Sequence, residues 1–218
     1  MKNIWDEYFF NLFCIRITKE NNYIYQIFAA DAKCYADFGF VVDVSGSVVS
    51  HWERERSFIK QLAQQIWISP DGGHASVVQF SRDAQLMINF NNHTSLSGFE
   101  MALDGLNHWD GTTRIDLGLE VALDQMFQVA NGMRPEVSHT LVLITDGNQT
   151  GENVNYEEFR RRLNERKIRV LVILVGTANK NDIRHLVNKA SDLYEASTFE
   201  DLISDDFVKN VILCGGKR

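Results

Sequence analysis

One stretch of this chain constrains its fold more than any other: an apolar run that stops at an acid. Residues 38–44 are nearly all aromatic or β-branched, which is the composition of a strand buried on both faces of a parallel sheet. Asp43 lies near the end of that run, and a buried carboxylate without a partner costs several kcal/mol. Ser45 and Ser47 follow at every second position, with Gly46 between them. We therefore expect Asp43 to have a partner.

Two interpretations of this loop are open at this point. Carboxylate and hydroxyl oxygens that converge from a tight loop suit a hard divalent cation such as Mg²⁺. The same residue types also cap helices, and a helix is expected to begin near Ser50. The loop alone does not separate the cation site from the helix cap.

Strands alternate with helices along the rest of the chain. We predict further strands at residues 75–80, 84–90, 140–145, 170–175 and 193–195, and helices at 51–68, 97–106, 115–129, 157–166, 182–190 and 199–213. The short turn at residues 81–83 makes the third strand antiparallel to the second, at a sheet edge. The predicted fold class is α/β: a doubly wound, mostly parallel six-stranded sheet with one antiparallel edge strand and helices on both faces.

The amino-acid composition argues against several classes of function. The 218 residues, 44% of them hydrophobic, suffice for one domain with a full core plus a short extension. A net charge of −7 argues against nonspecific binding to nucleic acid or anionic lipid, because both need a basic surface. No apolar run reaches the roughly 18 residues that a membrane-spanning helix needs, so we expect no membrane span.

The positions of the three cysteines indicate in which compartment the protein is expected. Cys34 precedes the first strand and Cys214 follows the last predicted helix, so a bridge between them would join the two ends of the domain. The alternative is two unrelated buried thiols. We expect the bridge, and with it an oxidising, extracellular compartment. Cys14 remains free or available to another chain.

Two further features relate to secretion. Asn92 and Asn148 each begin an Asn-x-Thr glycosylation sequon. Residues 1–33 do not resemble the rest of the chain, and three interpretations of them are open: a targeting segment, a hairpin that turns at Asn21 and Asn22, or a poorly ordered extension.

Three polar loops are predicted at one edge of the sheet, since ligands of this fold class bind outside the carboxyl ends of the strands. They are residues 43–47, 111–113 and 145–147. Two carboxylates that meet there without a cation would repel each other, and one would bind a proton. Together the loops favour a cation, with water completing its coordination.

These residues resemble the von Willebrand factor type A domain, also called the integrin inserted domain. Members carry a metal-ion-dependent adhesion site built from an Asp-x-Ser-x-Ser loop, a Thr, and an Asp in Thr-Asp-Gly. Here Asp43, Ser45 and Ser47 match the first segment, and Asp146 matches the third. For the Thr, the family pattern fits best with Thr113 as the ligand and Ile115 at a second Thr position; Thr112 is the alternative.

The resemblance covers residues from Cys34 to Cys214, so we divide the chain into an N-terminal extension at 1–33, a type A domain at 34–214 and a tail at 215–218. It implies an extracellular adhesion or matrix-binding module that holds Mg²⁺, with Mn²⁺ or Ca²⁺ as alternatives. A protein partner, such as collagen, another matrix protein or a receptor, would supply an acidic side chain. In the family the last helix shifts as affinity changes, which would be residues 199–213 here.

Other functions fit the sequence less well. A nucleotide-binding or phosphotransfer enzyme would need a Gly-rich phosphate loop, and neither G-x-G-x-x-G after the first strand nor G-x-x-x-x-G-K-[ST] is present. A haloacid-dehalogenase-like hydrolase would carry a second Asp where Ser45 stands. We therefore expect no enzyme activity. The remaining alternative is an intracellular type A domain that acts as a scaffold for protein complexes.

Overall fold

The structure is a computed structural model, and it describes residues 35–147, 149–151, 153–176 and 180–211. The predicted bridge between Cys34 and Cys214, the third cysteine Cys14, the extension at 1–33, the tail at 215–218 and the sequon residue Asn148 lie outside the described residues. Asn92, which begins the other sequon, is exposed in the turn that follows the third strand.

The described residues form one six-stranded sheet in the order β3-β2-β1-β4-β5-β6. Its strands are β1 (Ala36–Asp43), β2 (His74–Phe80), β3 (Ala84–Ile88), β4 (Ser138–Thr145), β5 (Ile168–Val175) and β6 (Leu193–Ala196). β1 lies at the centre and pairs in parallel with β2 and β4, whereas β3 pairs antiparallel with β2 at the edge. The predicted fold class is confirmed.

Helices cover both faces of the sheet. On one face lie α1 (Trp52–Gln65), α2 (Leu96–Asp104), α6 (Phe199–Leu202) and α7 (Asp205–Asn210), and on the other lie α3 (Ile115–Val121), α4 (Tyr156–Glu165) and α5 (Lys180–Ile183). Because side chains alternate across a strand, Phe40 and Val42 of β1 enter the first core layer and Val41 enters the second. Every residue of β1 is buried, as its apolar run predicts.

Several predicted helices are shorter than the sequence indicates, and one prediction was wrong. The final helix is not continuous: α6 ends at Leu202 and α7 begins again at Asp205. Ser204 causes the restart, because its hydroxyl caps α7 by accepting a hydrogen bond from the amide of Phe207. Likewise α3 gives way to a π-helical turn at Ala122–Met126. Residues 212 and 213 of the predicted helix lie outside the described part of the chain.

The opposite end of β1 carries a buried ion pair. Asp37 is fully buried and accepts hydrogen bonds from the amide of Arg134 at 2.7 Å and from its Nε at 2.8 Å. The same guanidinium also donates to the carbonyl oxygen of Gly72 at 3.0 Å. Thus the acid near the start of β1 has a basic partner that neutralises it.

In the described residues, no helix is long and apolar enough to cross a membrane.

Candidate metal centre

Asp43 ends β1 and is fully buried. Its Oδ1 accepts a hydrogen bond from the amide of Ser45 at 2.9 Å, which folds the chain back on itself immediately after the strand. Its Oδ2 accepts a hydrogen bond of 2.5 Å from the hydroxyl of Thr145, the last residue of β4. The carboxylate is therefore held in one orientation at the carboxyl end of two neighbouring parallel strands.

Ser45 and Ser47 carry the next two oxygens of the loop. The two hydroxyl oxygens are 3.2 Å apart, and the Ser47 hydroxyl donates to Oδ1 of Asp146 at 3.0 Å. Neither serine caps a helix: His51 is the N-cap of α1, and no side chain accepts a capping hydrogen bond there. The helix-cap interpretation of this loop is therefore wrong.

Gly147 allows the third segment to approach the first. A Cβ atom at this position would lie 2.7 Å from Cγ2 of Thr113, 3.1 Å from its Oγ1 and 3.3 Å from Oδ2 of Asp43. Such contacts are too close for a side chain, so the absence of one permits the packing. They also show that the Thr113 hydroxyl and the Asp43 carboxylate both lie close to this glycine.

Thr113 is buried, whereas Thr112 is exposed. Hydrogen bonds tie Thr113 to the loop after β4: its amide donates to the hydroxyl of Thr150 at 3.3 Å, and its carbonyl accepts from the Thr150 amide at 2.8 Å. Gly111 accepts from the amide of Gly46 at 3.0 Å, which joins this loop to the first segment. Of the two threonines, Thr113 is the one that the geometry brings to Asp43.

Ile115 occupies the position where the family pattern has a second threonine. Its side chain is buried in the core at the start of α3, and its amide donates to Oε1 of Gln149 at 2.8 Å. Gln149 also donates to Asp116 at 2.8 Å. The side chain of Gln149 thus connects the start of α3 to the loop after β4.

The acids of this cluster have no cationic partner. Among the described residues, no lysine, arginine or histidine lies within ion-pair distance of Asp43 or Asp146. Burial raises the pKa of Asp43 to about 6, and the charge of Asp146 adds to the rise. Burial likewise raises the pKa of Asp146, against the effect of the Ser47 hydrogen bond. Burial is the main cause of both shifts; the charge of Asp146 adds to the rise at Asp43, whereas the charge of His51 lowers the pKa of Asp146.

The side chains of this cluster suit a hard divalent cation because their oxygens are carboxylates and hydroxyls. In the described part of the chain, no three His, Cys, Asp or Glu side chains stand close enough to hold an ion by themselves. Serine and threonine hydroxyls would therefore have to supplement the two acids. Asp43, Ser45, Ser47, Thr113 and Asp146 make up what we call the acidic cluster.

Recesses adjoin the acidic cluster. A cavity of about 610 Å³ begins at Gly147 and is lined in part by Tyr156 and Asp182. Another, of about 600 Å³, adjoins Gly111 and is lined in part by Trp109. Both recesses lie beside loops that form the cluster, but no residue of the cluster lines either of them.

The sequence did not single out every residue that shapes this region. Thr145 belongs to the Thr-Asp-Gly segment that the sequence indicated, but its hydrogen bond to Asp43 was not predicted. Gln149 and Thr150, which hold the loop of Thr113, stand out in the sequence only as part of a glycosylation sequon. Glu55 had a readable signal: it lies three residues after Trp52 and three before Phe58, so it interrupts the apolar stripe of α1. It is fully buried.

Comparisons with known proteins found a matching family model and several similar sequences. The family model described as the von Willebrand factor type A domain matches residues 37–209. A zebrafish (Danio rerio) protein, von Willebrand factor A domain-containing protein 1, is 29% identical over 162 residues, which are 73% of this chain and 32% of that protein. The human (Homo sapiens) collagen alpha-1(XX) chain is 28% identical over 168 residues, 77% of this chain and 13% of that protein. This chain thus spans about a third or less of the length of these relatives.

Solved structures from the mussel byssus share the fold. Crystal form 2 of proximal thread matrix protein 1 superposes with a TM-score of 0.77 at 20% identity, over 83% of this chain and 48% of that chain. Another structure of that protein, described as having a zinc-occupied MIDAS motif, has a TM-score of 0.74 at 25% identity and covers 82% of this chain and 45% of that one.

Proposed function

The chain belongs to the von Willebrand factor type A domain family, and on that basis we propose that it is a metal-dependent protein-binding module. Asp43, Ser45, Ser47, Thr113 and Asp146 would hold Mg²⁺, with Mn²⁺ or Ca²⁺ as alternatives. The partner is a protein with an accessible Asp or Glu side chain, and collagen, another matrix protein and a receptor all qualify.

One observation carries this proposal: two acids from distant parts of the chain meet at one edge of the sheet, and no basic side chain in the described residues forms an ion pair with either. Asp146 is joined to the first segment by the Ser47 hydroxyl, and burial raises the pKa of both acids. A divalent ion would neutralise the two negative charges and accept the hydroxyl oxygens as ligands. The zinc-occupied motif of a structural relative supports a divalent ion at this place.

Each residue of the acidic cluster has a definable part. Asp43 and Asp146 would supply negative charge, and Ser45 and Ser47 would supply neutral oxygens that bind the ion without adding further charge. Thr113 stands on a separate loop, tied down through Thr150, so it would approach the ion from another side. Once bound, the ion supplies a Lewis-acidic position for a carboxylate, which the partner protein provides.

The proposed setting is extracellular and the proposed role is adhesive, not enzymatic. Relatives of this chain are collagen chains and a byssal thread matrix protein, which are proteins of extracellular matrices. The bridge between Cys34 and Cys214 and glycosylation at Asn92 and Asn148 remain predictions that fit this setting. Free-thiol counting in the denatured, unreduced protein tests the bridge, since three free thiols would exclude it.

Binding to matrix proteins tests the function directly. Immobilised collagen and other matrix fractions are probed with the protein in Mg²⁺ and in EDTA, together with the Asp43→Ala and Asp146→Ala variants. We expect binding in Mg²⁺ only, and none by either variant. Asp104→Ala is the control, because Asp104 is an exposed acid on α2 that pairs with Lys60. Equal binding in EDTA and by both variants would exclude the acidic cluster as the binding site.

A further inference from the structure

Glu55 is a third fully buried acid, besides Asp37 and Asp43. It lies on α1, whose other buried positions are apolar, among them Trp52, Phe58 and Ile59. The exposed fraction of Glu55 is 0%, and neither carboxylate oxygen has a hydrogen-bond partner in the described structure. Such a group is costly, so its presence needs a physical reason.

The other buried acids show what usually neutralises such a charge. Asp37 is paired with Arg134 at 2.7 Å, and Asp192 with Arg169 at 2.7 Å. Among the buried acids in the described ranges, only Asp43 and Glu55 lack a basic partner. An apolar side chain of similar size would fill the position of Glu55 without that cost.

The charges that act on Glu55 are those of the acidic cluster. Burial raises the pKa of Glu55 well above its usual range, and the negative charges of Asp43 and Asp146 raise it further. Glu55 lies in the first turn of α1, the helix that follows the loop of residues 43–47, so it stands at the same edge of the sheet as the two acids proposed to hold the ion. A divalent cation at the cluster would cancel the two negative charges that repel an ionised Glu55.

We propose that Glu55 is a positioning residue of the metal centre, a third acid that acts on the ion through water. Its two unpaired oxygens would accept hydrogen bonds from water in the ion's coordination shell, as outer-shell carboxylates do at other metal sites. It is not a direct ligand, since no three acidic or imidazole side chains cluster at ligand distance in the described residues. This inference rests on the proposed metal-binding function.

The test is the Mn²⁺ affinity of the wild-type chain and of Glu55→Gln and Glu55→Met, measured by calorimetric titration. Glu55→Met removes charge and hydrogen-bond acceptors, and we expect Mn²⁺ binding to weaken by about tenfold or more. Glu55→Gln keeps one acceptor oxygen, so its loss should be smaller. Glu53→Gln is the matched control: Glu53 lies on the same turn of α1 but its side chain is 76% exposed, and its affinity should equal that of the wild type.

Thermal unfolding in EDTA separates this role from a purely structural one. A structural role predicts a change in the stability of the metal-free protein with an unchanged Mn²⁺ affinity. Our proposal predicts that Glu55→Met stabilises the metal-free protein, because it removes unpaired polar atoms, while it weakens Mn²⁺ binding.

The outcomes distinguish this inference from the proposed function. If the wild type binds Mn²⁺, Asp43→Ala does not, and both Glu55 variants bind as tightly as the wild type, the role of Glu55 is overturned and the metal centre stands. If the wild type binds no Mn²⁺, both proposals fail. Should Glu55→Met not fold, Glu55→Gln decides alone, since it preserves the size of the side chain.

Discussion

The hydroxyl of Ser47 donates a 3.0 Å hydrogen bond to Asp146, a residue 99 positions further along the chain. The two residues follow different strands, β1 and β4, which are parallel neighbours at the centre of the sheet. Since parallel strands end at the same edge, their following loops meet there. This contact joins the first and last segments of the acidic cluster without any help from an ion.

Ser47→Ala should weaken Mg²⁺ binding by about tenfold or more, because it removes both a neutral oxygen and the hydrogen bond that orients Asp146. The free energy of unfolding of the metal-free protein should change by about 1 kcal/mol or less, since Ser47 is exposed. Titration calorimetry and thermal unfolding measure the two quantities. Ser50→Ala, at another exposed serine of the same loop region, should change neither.

Thr113→Val and Thr112→Val form a matched pair that identifies the threonine ligand. Valine keeps the shape of threonine and lacks only the hydroxyl. The Thr113 hydroxyl lies beside Gly147 and Asp43, so its loss should weaken Mg²⁺ binding by about tenfold or more. Thr112 is exposed, and its replacement should leave the affinity unchanged. The reverse result would assign the ligand to Thr112.

Metal binding should weaken as the solution becomes acidic. Burial raises the pKa of Asp43 to about 6 in the metal-free protein, and a proton on Asp43 competes with the cation. Below about pH 6 the affinity should therefore fall by about tenfold per pH unit. Mn²⁺ titrations between pH 5 and 8 would show this slope. An affinity that stays constant over the whole interval would contradict it.

The stability of the metal-free protein should decrease as the pH rises, because of the same shift in the pKa of Asp43. The folded pKa of Asp43 lies above its usual value of 3.8, so the folded state binds a proton more tightly than the unfolded state. The tighter proton binding by folded Asp43 therefore adds to the free energy of unfolding in full below about pH 4. This contribution, about 3 kcal/mol, is lost as the pH rises through about 6. Asp43→Asn cannot ionise and should lack this loss. Denaturant unfolding in EDTA at pH 4 and pH 7 measures the difference.

Gly147→Ala should damage the site more than the fold. The added Cβ would lie 2.7 Å from the methyl group of Thr113, so the Thr113 loop must move away from Asp43. We expect a loss of about 1–3 kcal/mol of stability and a large loss of Mg²⁺ affinity. Gly105→Ala is the control: its Cβ would approach no described atom closer than 3.4 Å.

Arg134→Met should have the converse effect, a loss of stability with the metal centre intact. Removal of the guanidinium leaves the buried Asp37 without its arginine partner, with only the amide of residue 134 at 2.7 Å and His139 at 3.9 Å beside it, which costs about 3–5 kcal/mol. Asp43 lies at the other end of the same strand, so Mg²⁺ affinity measured below the unfolding temperature should not change. A parallel loss of affinity would show that the two ends of β1 are coupled.

The order of strands and helices was readable from the sequence because each central strand is an uninterrupted apolar run and each helix repeats its apolar residues at helical spacing. The one long helix predicted at the carboxyl end failed for a local reason. Ser204 fits a helical pattern as a surface residue, but its hydroxyl caps a new helix instead.

The sequence by itself determined the α/β class, the antiparallel edge strand and the segments that contain Asp43, Ser45, Ser47 and Asp146, because these depend on local composition and on the rule that parallel strands end together. The remaining features became visible only in the folded molecule. The tertiary structure buried Thr113 and left Thr112 exposed, brought Thr145 to Asp43, and buried Glu55 with no hydrogen bond to either carboxylate oxygen. These outcomes depend on which groups are buried together across the fold, since burial and the lack of a cationic neighbour are properties of the packed molecule and not of any segment.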